Sequence, residues 1–171
     1  MSLCLVVAAC ATSPTGQTQL KLFPDSQIAS MGVAAYQEMK QQTPISGDRQ
    51  VNSYVNCVAN AVLAVVPSGT DWEVTVFEDE SVNAFALPGG KIGVNTGLLD
   101  LVENDDQLAA VLGHELAHSV ANHAAERYSQ TAATQLALGV GQAALGGRVS
   151  PQAAQQVAAL GSAGAQVGLL L

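Results

Sequence analysis

The 171-residue chain has few basic residues: Lys and Arg number 6 against 14 Asp and Glu, which gives a formal net charge of -8. Proteins that bind nucleic acid need a basic surface that neutralises phosphates. The shortage of positive charge therefore argues against a nucleic-acid partner. The acidity itself is a solubility feature.

Aromatic residues are also scarce, at 4% of the chain, although 49% of the chain is apolar. Alanine and glycine are abundant instead, which favours closely packed helices with small side chains over a large aromatic core. The chain is long enough for one domain with a real core. Its three cysteines, Cys4, Cys10 and Cys57, form no CxxC pair, so the spacing predicts neither a disulfide framework nor a zinc knuckle.

Long apolar runs are missing as well. The tail contains Gly164, Gly168 and three final leucines, but four glutamines between positions 152 and 166 argue against a membrane span. The N-terminal run at residues 3–9 is at the lower limit for the hydrophobic part of a signal peptide, and no basic segment precedes it.

That N-terminal run ends in Val7-Ala8-Ala9-Cys10, which resembles the lipobox of a bacterial lipoprotein, whose cysteine is lipidated after cleavage. Residues 11–19 are polar, like a tether between a membrane and a domain. We expect residues 1–21 to be a signal-peptide remnant with an unstructured tether, and residues 22–171 to be the folded domain. An ordinary apolar N-terminus is the alternative. The lipobox predicts a lipid anchor on Cys10 and a periplasm-facing place in the bacterial cell envelope.

Hydrophobic periodicity predicts a mixed sequence of helices and short strands. A Gly/Pro segment should end the first helix, and Asp48 should cap the second. The central helix should begin at Asn104, where Gln107 completes a capping box, and run to about Tyr128. The expected elements are helices at 26–41 and from 49, strands at 72–77, 82–87 and 91–94, a short helix from Asn95 or Thr96, and tail helices at 131–145 and from 150.

The central helix carries an HExxH motif at residues 114–118. His114 and His118 are one turn apart and about 40° apart on one face, so two imidazoles can bind one ion. Glu115 lies about 100° from His114, within reach of a metal-bound water. Neutral imidazole is a good zinc ligand, and a neighbouring carboxylate can act as general base. The alternative is a helix that carries two histidines by chance.

Three neighbours of the motif complete this interpretation. Gly113 suggests that another element packs closely against the helix. His123 lies about 180° from His114 on a continuous helix, which predicts a structural histidine rather than a ligand. Glu126 is the only carboxylate after His118, and it is about 12 Å along the helix axis from it, too far to complete the site.

Residues 83–90, 94–99 and 107–118, in this order and spacing, resemble the HtpX/BepA/CAAX-prenyl-protease family of zinc metallopeptidases, and in particular its envelope lipoprotein type. The resemblance implies an α+β, zincin-like fold, mainly helical, with a small sheet beside the HExxH helix. It implies one Zn²⁺ bound by His114 and His118, with Glu115 as general base. It also implies a strand that contacts an extended protein or peptide substrate through Asn83, Ala84, Phe85 and Ala86.

The family takes its third zinc ligand from a glutamate in an ExEAD-like motif on a later helix, and this sequence has no such motif. We therefore expect the N-terminal part of a metalloendopeptidase domain, with an incomplete two-histidine site, little activity of its own and self-association through uncovered tail helices. Two other functions remain open: an inactive binding or chaperone-like envelope module that keeps the fold, and a lipid-tethered structural protein.

Overall fold

The computed structural model describes residues 10–12, 16, 18–66 and 69–144, and for Cys10 and residues 136–144 it describes the backbone alone. The elements in chain order are β1 (Cys10–Thr12), β2 (Thr18–Leu20), α1 (Asp25–Gln42), α2 (Arg49–Leu63), β3 (Glu73–Phe77), β4 (Ala84–Leu87), β5 (Lys91–Asn95), α3 (Thr96–Leu99), α4 (Asp105–Val120) and α5 (His123–Ala144). The architecture is α+β, as the sequence predicts. The expected helix from Ser150 and the self-associating tail lie outside the described residues.

The N-terminal segment is the first departure from expectation. The sequence predicts an unstructured tether over residues 11–19, but β1 and β2 pair there as antiparallel strands. β2 lies against α5, and Gln19 is 7% exposed. The expected tether is therefore wrong for these strands, because a polar sequence can still be ordered when its backbone pairs and a side chain finds a buried partner.

α1 and α2 form where the sequence predicts them. The side chain of Asp48 caps α2 by accepting hydrogen bonds from the backbone N–H groups of Gln50 and Val51. α2 buries Val55, Val58 and Ala59, whereas Val65 follows the end of the helix and is 85% exposed.

The three-stranded sheet has the order β3-β5-β4. β3 and β5 are parallel, and β4 and β5 form an antiparallel hairpin, so β4 is an edge strand. Gly89 and Gly90, with φ of 85° and 74°, make the turn between β4 and β5, the strands expected at 82–87 and 91–94.

The two faces of the sheet support two apolar clusters. One face packs against α2 and α4, and its cluster includes Val76, Ala84, Ile92 and Val94 with leucines of α4. The other face carries a smaller aromatic cluster with a residue of α1, formed by Tyr36, Phe77, Phe85 and Leu87. The sheet is thus a layer between α1 and the helix that carries the HExxH motif.

The central helix is shorter than expected. Asn104 caps it through a hydrogen bond from the N–H of Gln107, as the sequence predicts. It ends at Val120 instead of continuing to Tyr128, and α5 starts in a new direction at His123. Within the described helices, none combines the length and apolarity that crossing a membrane requires.

Gly32 allows α1 to approach the β4–β5 turn, and Gly32→Ala should lower the free energy of unfolding by roughly 1–3 kcal/mol. A Cβ atom at Gly32 would lie 2.1 Å from the carbonyl oxygen of Pro88, a backbone atom that cannot rotate away. Denaturation in urea, monitored by circular dichroism, measures the change.

Gly113→Ala is the matched control, since it places the same methyl group on another helix. Its nearest neighbour would be Cγ1 of Val62 at 3.9 Å, an ordinary contact. The expected close packing at Gly113 is therefore not found, and alanine there should stabilise the helix by about 0.5–1 kcal/mol. An unchanged urea midpoint for Gly32→Ala would contradict the steric argument.

Candidate metal centre

α4 presents the two motif histidines on the side away from the core. Leu108, Leu112 and Leu116 recur every four residues and are buried. His114 is about 200° around the helix from Leu112, so packing the leucines inward turns His114 and His118 outward. His114 is exposed and His118 is half-buried.

The side chains of His114 and His118 converge. Their Nε2 atoms are 3.0 Å apart, and their rings are nearly perpendicular with centroids 4.5 Å apart. Two nitrogens on one tetrahedral zinc, each at 2.0–2.1 Å, would be roughly 3.3 Å apart. The pair therefore fits two corners of a zinc site with little adjustment.

His123 is closer to this pair than the sequence predicts. Its Nδ1 atom is 2.7 Å from Nδ1 of His118. The expectation that His123 faces away assumed a helix continuous to Tyr128, and that assumption is wrong. All three histidines of the chain are therefore joined in one row.

The corner between α4 and α5 brings His123 there. Asn122 has φ of 58°, a left-handed conformation that asparagine tolerates better than most residues and that ends α4. Gln19 Nε2 donates to the carbonyl oxygen of Ala121 at 2.9 Å. The sequence signal for this corner was Asn122 itself, because asparagine is among the residues that most often adopt the left-handed conformation after a helix.

Further contacts of the N-terminal segment hold α5. The N–H of Leu22 donates to Oγ of the buried Ser129 at 3.0 Å. Phe23 packs edge-on against Tyr128, with ring centroids 5.0 Å apart. The segment that the sequence predicts to be a tether and the start of the domain thus supports the corner beside the helix that carries the HExxH motif.

Glu115 is in a suitable environment for a base. It is half-buried, and burial raises the pKa of its carboxyl above the ordinary value. The positive charges of His114 and Arg127 act in the opposite direction, so the pKa stays raised only because desolvation is the larger effect. A carboxylate with a raised pKa is a better proton acceptor near neutral pH.

His118 is shifted toward its metal-binding form. Burial lowers the pKa of His118, and the positive charges that His114, His123 and Arg127 can carry lower it further. A histidine binds metal as neutral imidazole, so a lowered pKa keeps His118 in that form at a more acidic pH.

A third ligand is not found in the part of the chain that the structure describes. No group of three His, Cys, Asp or Glu side chains there is arranged to hold a metal ion. Glu126 accepts a hydrogen bond from Nε2 of Gln130 at 3.0 Å. The described residues thus offer two histidines at the motif, and whether the site has a third ligand stays a prediction.

The edge strand β4 lies against α4. The N–H of Asn95 donates to the carbonyl oxygen of Asn83. In an antiparallel ladder every second residue directs its N–H and C=O groups to the partner strand. The main chain of Phe85, two residues after Asn83, therefore also faces β5. The N–H and C=O groups of Ala84 and Ala86 face outward from the sheet. The strand expected to contact substrate therefore directs the backbone groups of these two alanines away from β5.

The side chain of Phe85 lies in the core, and a contact of Phe85 with substrate stays a prediction. Its side chain is 7% exposed and lies 6.0 Å, centroid to centroid, from Phe77. A Cβ atom at Gly93 would come within 2.0 Å of the Phe85 ring, so the ring occupies the space above Gly93 on the face away from α4. Asn83 likewise directs its carbonyl oxygen to β5.

A cavity of about 600 Å³ lies beside this region without including the motif residues. It is lined by residues of the β4–β5 turn, the α2–β3 loop and the α4–α5 corner, among them Pro88, Trp72 and Asn122. His114, Glu115 and His118 are not among its lining residues. The chemistry of the motif, not the size of the cavity, therefore locates the candidate site.

Comparison with known families agrees with the geometry. The model of the family described as "Peptidase family M48" matches residues 46–171, a segment that contains α2, the sheet and both motif histidines. The chain belongs to peptidase family M48. This membership confirms the family resemblance of the three sequence blocks.

Curated relatives of this M48 chain are longer proteins. It is 42% identical over 110 residues to the mitochondrial metalloendopeptidase OMA1 of Schizosaccharomyces pombe. That match covers 60% of the chain and 32% of the OMA1 protein. It is 29% identical over 147 residues to the beta-barrel assembly-enhancing protease of Yersinia pestis. That match covers 84% of the chain and 30% of the Yersinia protein. It is 30% identical over 138 residues to the metalloprotease LoiP of Escherichia coli. That match covers 80% of the chain and 54% of LoiP.

Proposed function

We propose that this M48 chain forms the metal-binding region of a zinc-dependent metalloendopeptidase that acts on proteins of the bacterial cell envelope. The observation that carries the proposal is the convergence of the His114 and His118 Nε2 atoms, 3.0 Å apart, on the helix that also presents Glu115. The match to family M48 and to relatives named as metalloproteases supports the same activity.

His114 and His118 would hold Zn²⁺ through Nε2. Zinc held there would lower the pKa of a bound water to about 7 and polarise a carbonyl group. Glu115, whose pKa is raised by burial, accepts the proton of the attacking water and then donates it to the leaving amine of the cleaved peptide bond.

The substrate would lie beside β4 as an added, extended strand. The outward N–H and C=O groups of Ala84 and Ala86 are free to pair with a peptide backbone, and α4 packs against the same strand. Binding through the backbone suits an endopeptidase that takes varied sequences. Substrates N-methylated at the paired positions lose the matching donors, and their KM values test this contact.

The domain organisation and the zincin-like form of the fold are part of the proposal. Residues 22–171 would be the catalytic domain, and Cys10 would carry a lipid anchor to a membrane facing the periplasm. The lipobox-like Val7-Ala8-Ala9-Cys10 and the Yersinia and Escherichia relatives support this location. Mass spectrometry of Cys10 in native protein decides whether it is acylated.

A second candidate is an inactive binding module that retains the fold. The absence of a third ligand among the described residues favours it. Cleavage of an unfolded protein by the native protein separates the two functions. We expect fragments that disappear when a zinc chelator is added and return when zinc is restored; binding of the unfolded protein without fragments would establish the inactive module instead.

A further inference from the structure

The metal-binding pair leaves one histidine of the row without an assigned role. His123 begins α5, with its Nδ1 atom 2.7 Å from Nδ1 of His118. We infer that His123 is a positioning residue: it accepts a hydrogen bond from Nδ1–H of His118 and leaves Nε2 of His118 unprotonated for zinc. The inference rests on the proposed function, because it concerns the same zinc site.

The argument follows from counting protons on the His118 ring. A neutral imidazole carries one N–H, and two nitrogens 2.7 Å apart need one donor and one acceptor. Zinc binding beside His114 requires a lone pair on Nε2 of His118. The proton must then be on Nδ1, where it meets Nδ1 of His123. Zinc-bound histidines usually donate this second N–H to a carboxylate, a carbonyl or water, and here another imidazole takes that place.

Tertiary contacts hold His123 in position to accept. The residue follows Asn122, whose left-handed φ of 58° sets the direction of α5. The hydrogen bond from Gln19 to Ala121 fixes the carbonyl just before this corner. The acceptor is therefore ordered before metal binds, which reduces the entropy cost of orienting the His118 ring.

A direct role as third ligand fits less well. The Nε2 atoms of His114 and His118 face each other, whereas His123 meets His118 on the opposite, Nδ1 side of the ring. Across the described residues no three such side chains are arranged to share one ion.

The test compares zinc affinity in His123→Leu and His123→Asn, measured in the purified native protein by competition with a chelator of known affinity. Leucine removes the acceptor, and we expect zinc to bind 10–100-fold more weakly, the usual effect of losing such a partner. Asparagine keeps an acceptor, since Oδ1 is as many bonds from Cβ as Nδ1 of histidine. We expect it to restore affinity close to that of the wild type.

Thermal unfolding of the metal-free variants shows that the fold is intact, and His123→Ala gives a second deletion without the bulk of leucine. Wild-type affinity in both deletion variants overturns the inference. Binding as weak in His123→Asn as in the deletions also overturns it, because the ring itself would then be needed as a ligand. Failure of the wild-type protein to bind zinc overturns the proposed function.

Discussion

Replacing Glu115 by glutamine should lower peptide-bond cleavage by the native protein on the order of 100-fold or more, while zinc stays bound. The amide has nearly the size and shape of the carboxylate but cannot accept the proton of the attacking water. Burial raises the pKa of Glu115, so the wild-type group is a stronger base than an exposed glutamate. The loss should therefore appear in kcat, with substrate binding little changed.

Initial rates of cleavage of an unfolded protein, together with zinc content by elemental analysis, measure both parts of this result. Glu126→Gln is the matched control, because it removes the same charge from the first turn of α5, where Glu126 accepts a hydrogen bond from Gln130. We expect near wild-type turnover from the control. Near wild-type turnover with retained zinc in Glu115→Gln would remove Glu115 from the mechanism.

The double substitution of His114 and His118 by alanine should abolish stoichiometric zinc binding. Their Nε2 atoms, 3.0 Å apart, would supply two of the three protein ligands that a catalytic zinc site needs. Each single substitution leaves one imidazole of the pair and should weaken binding strongly. Elemental analysis and chelator competition measure the stoichiometry and the affinity.

The fold should survive this double substitution. His114 is exposed and His118 half-buried, while buried leucines attach α4 to the core. Ser119→Ala on the same helix controls for truncation of a half-buried polar side chain and should retain zinc. Unchanged zinc content in the double variant would show that the metal binds elsewhere.

Local patterns predicted much of this molecule. The caps at Asp48 and Asn104 depend on a few neighbouring residues, and both are found. The burial of the Phe85 side chain could not be predicted, because sequence does not show which face of a strand packs on α1. The sheet order β3-β5-β4, which makes β4 an edge, is likewise a property of long-range pairing.

The sequence by itself determined the pairing of His114 and His118, because a spacing of four residues on any α-helix places two side chains on one face. Only the tertiary structure decided the position of His123. The chain turns at Asn122, and Gln19 bonds to Ala121 across 102 residues of sequence. Helical periodicity extends only as far as the helix does, and the end of α4 depends on this distant N-terminal segment as well as on its own residues.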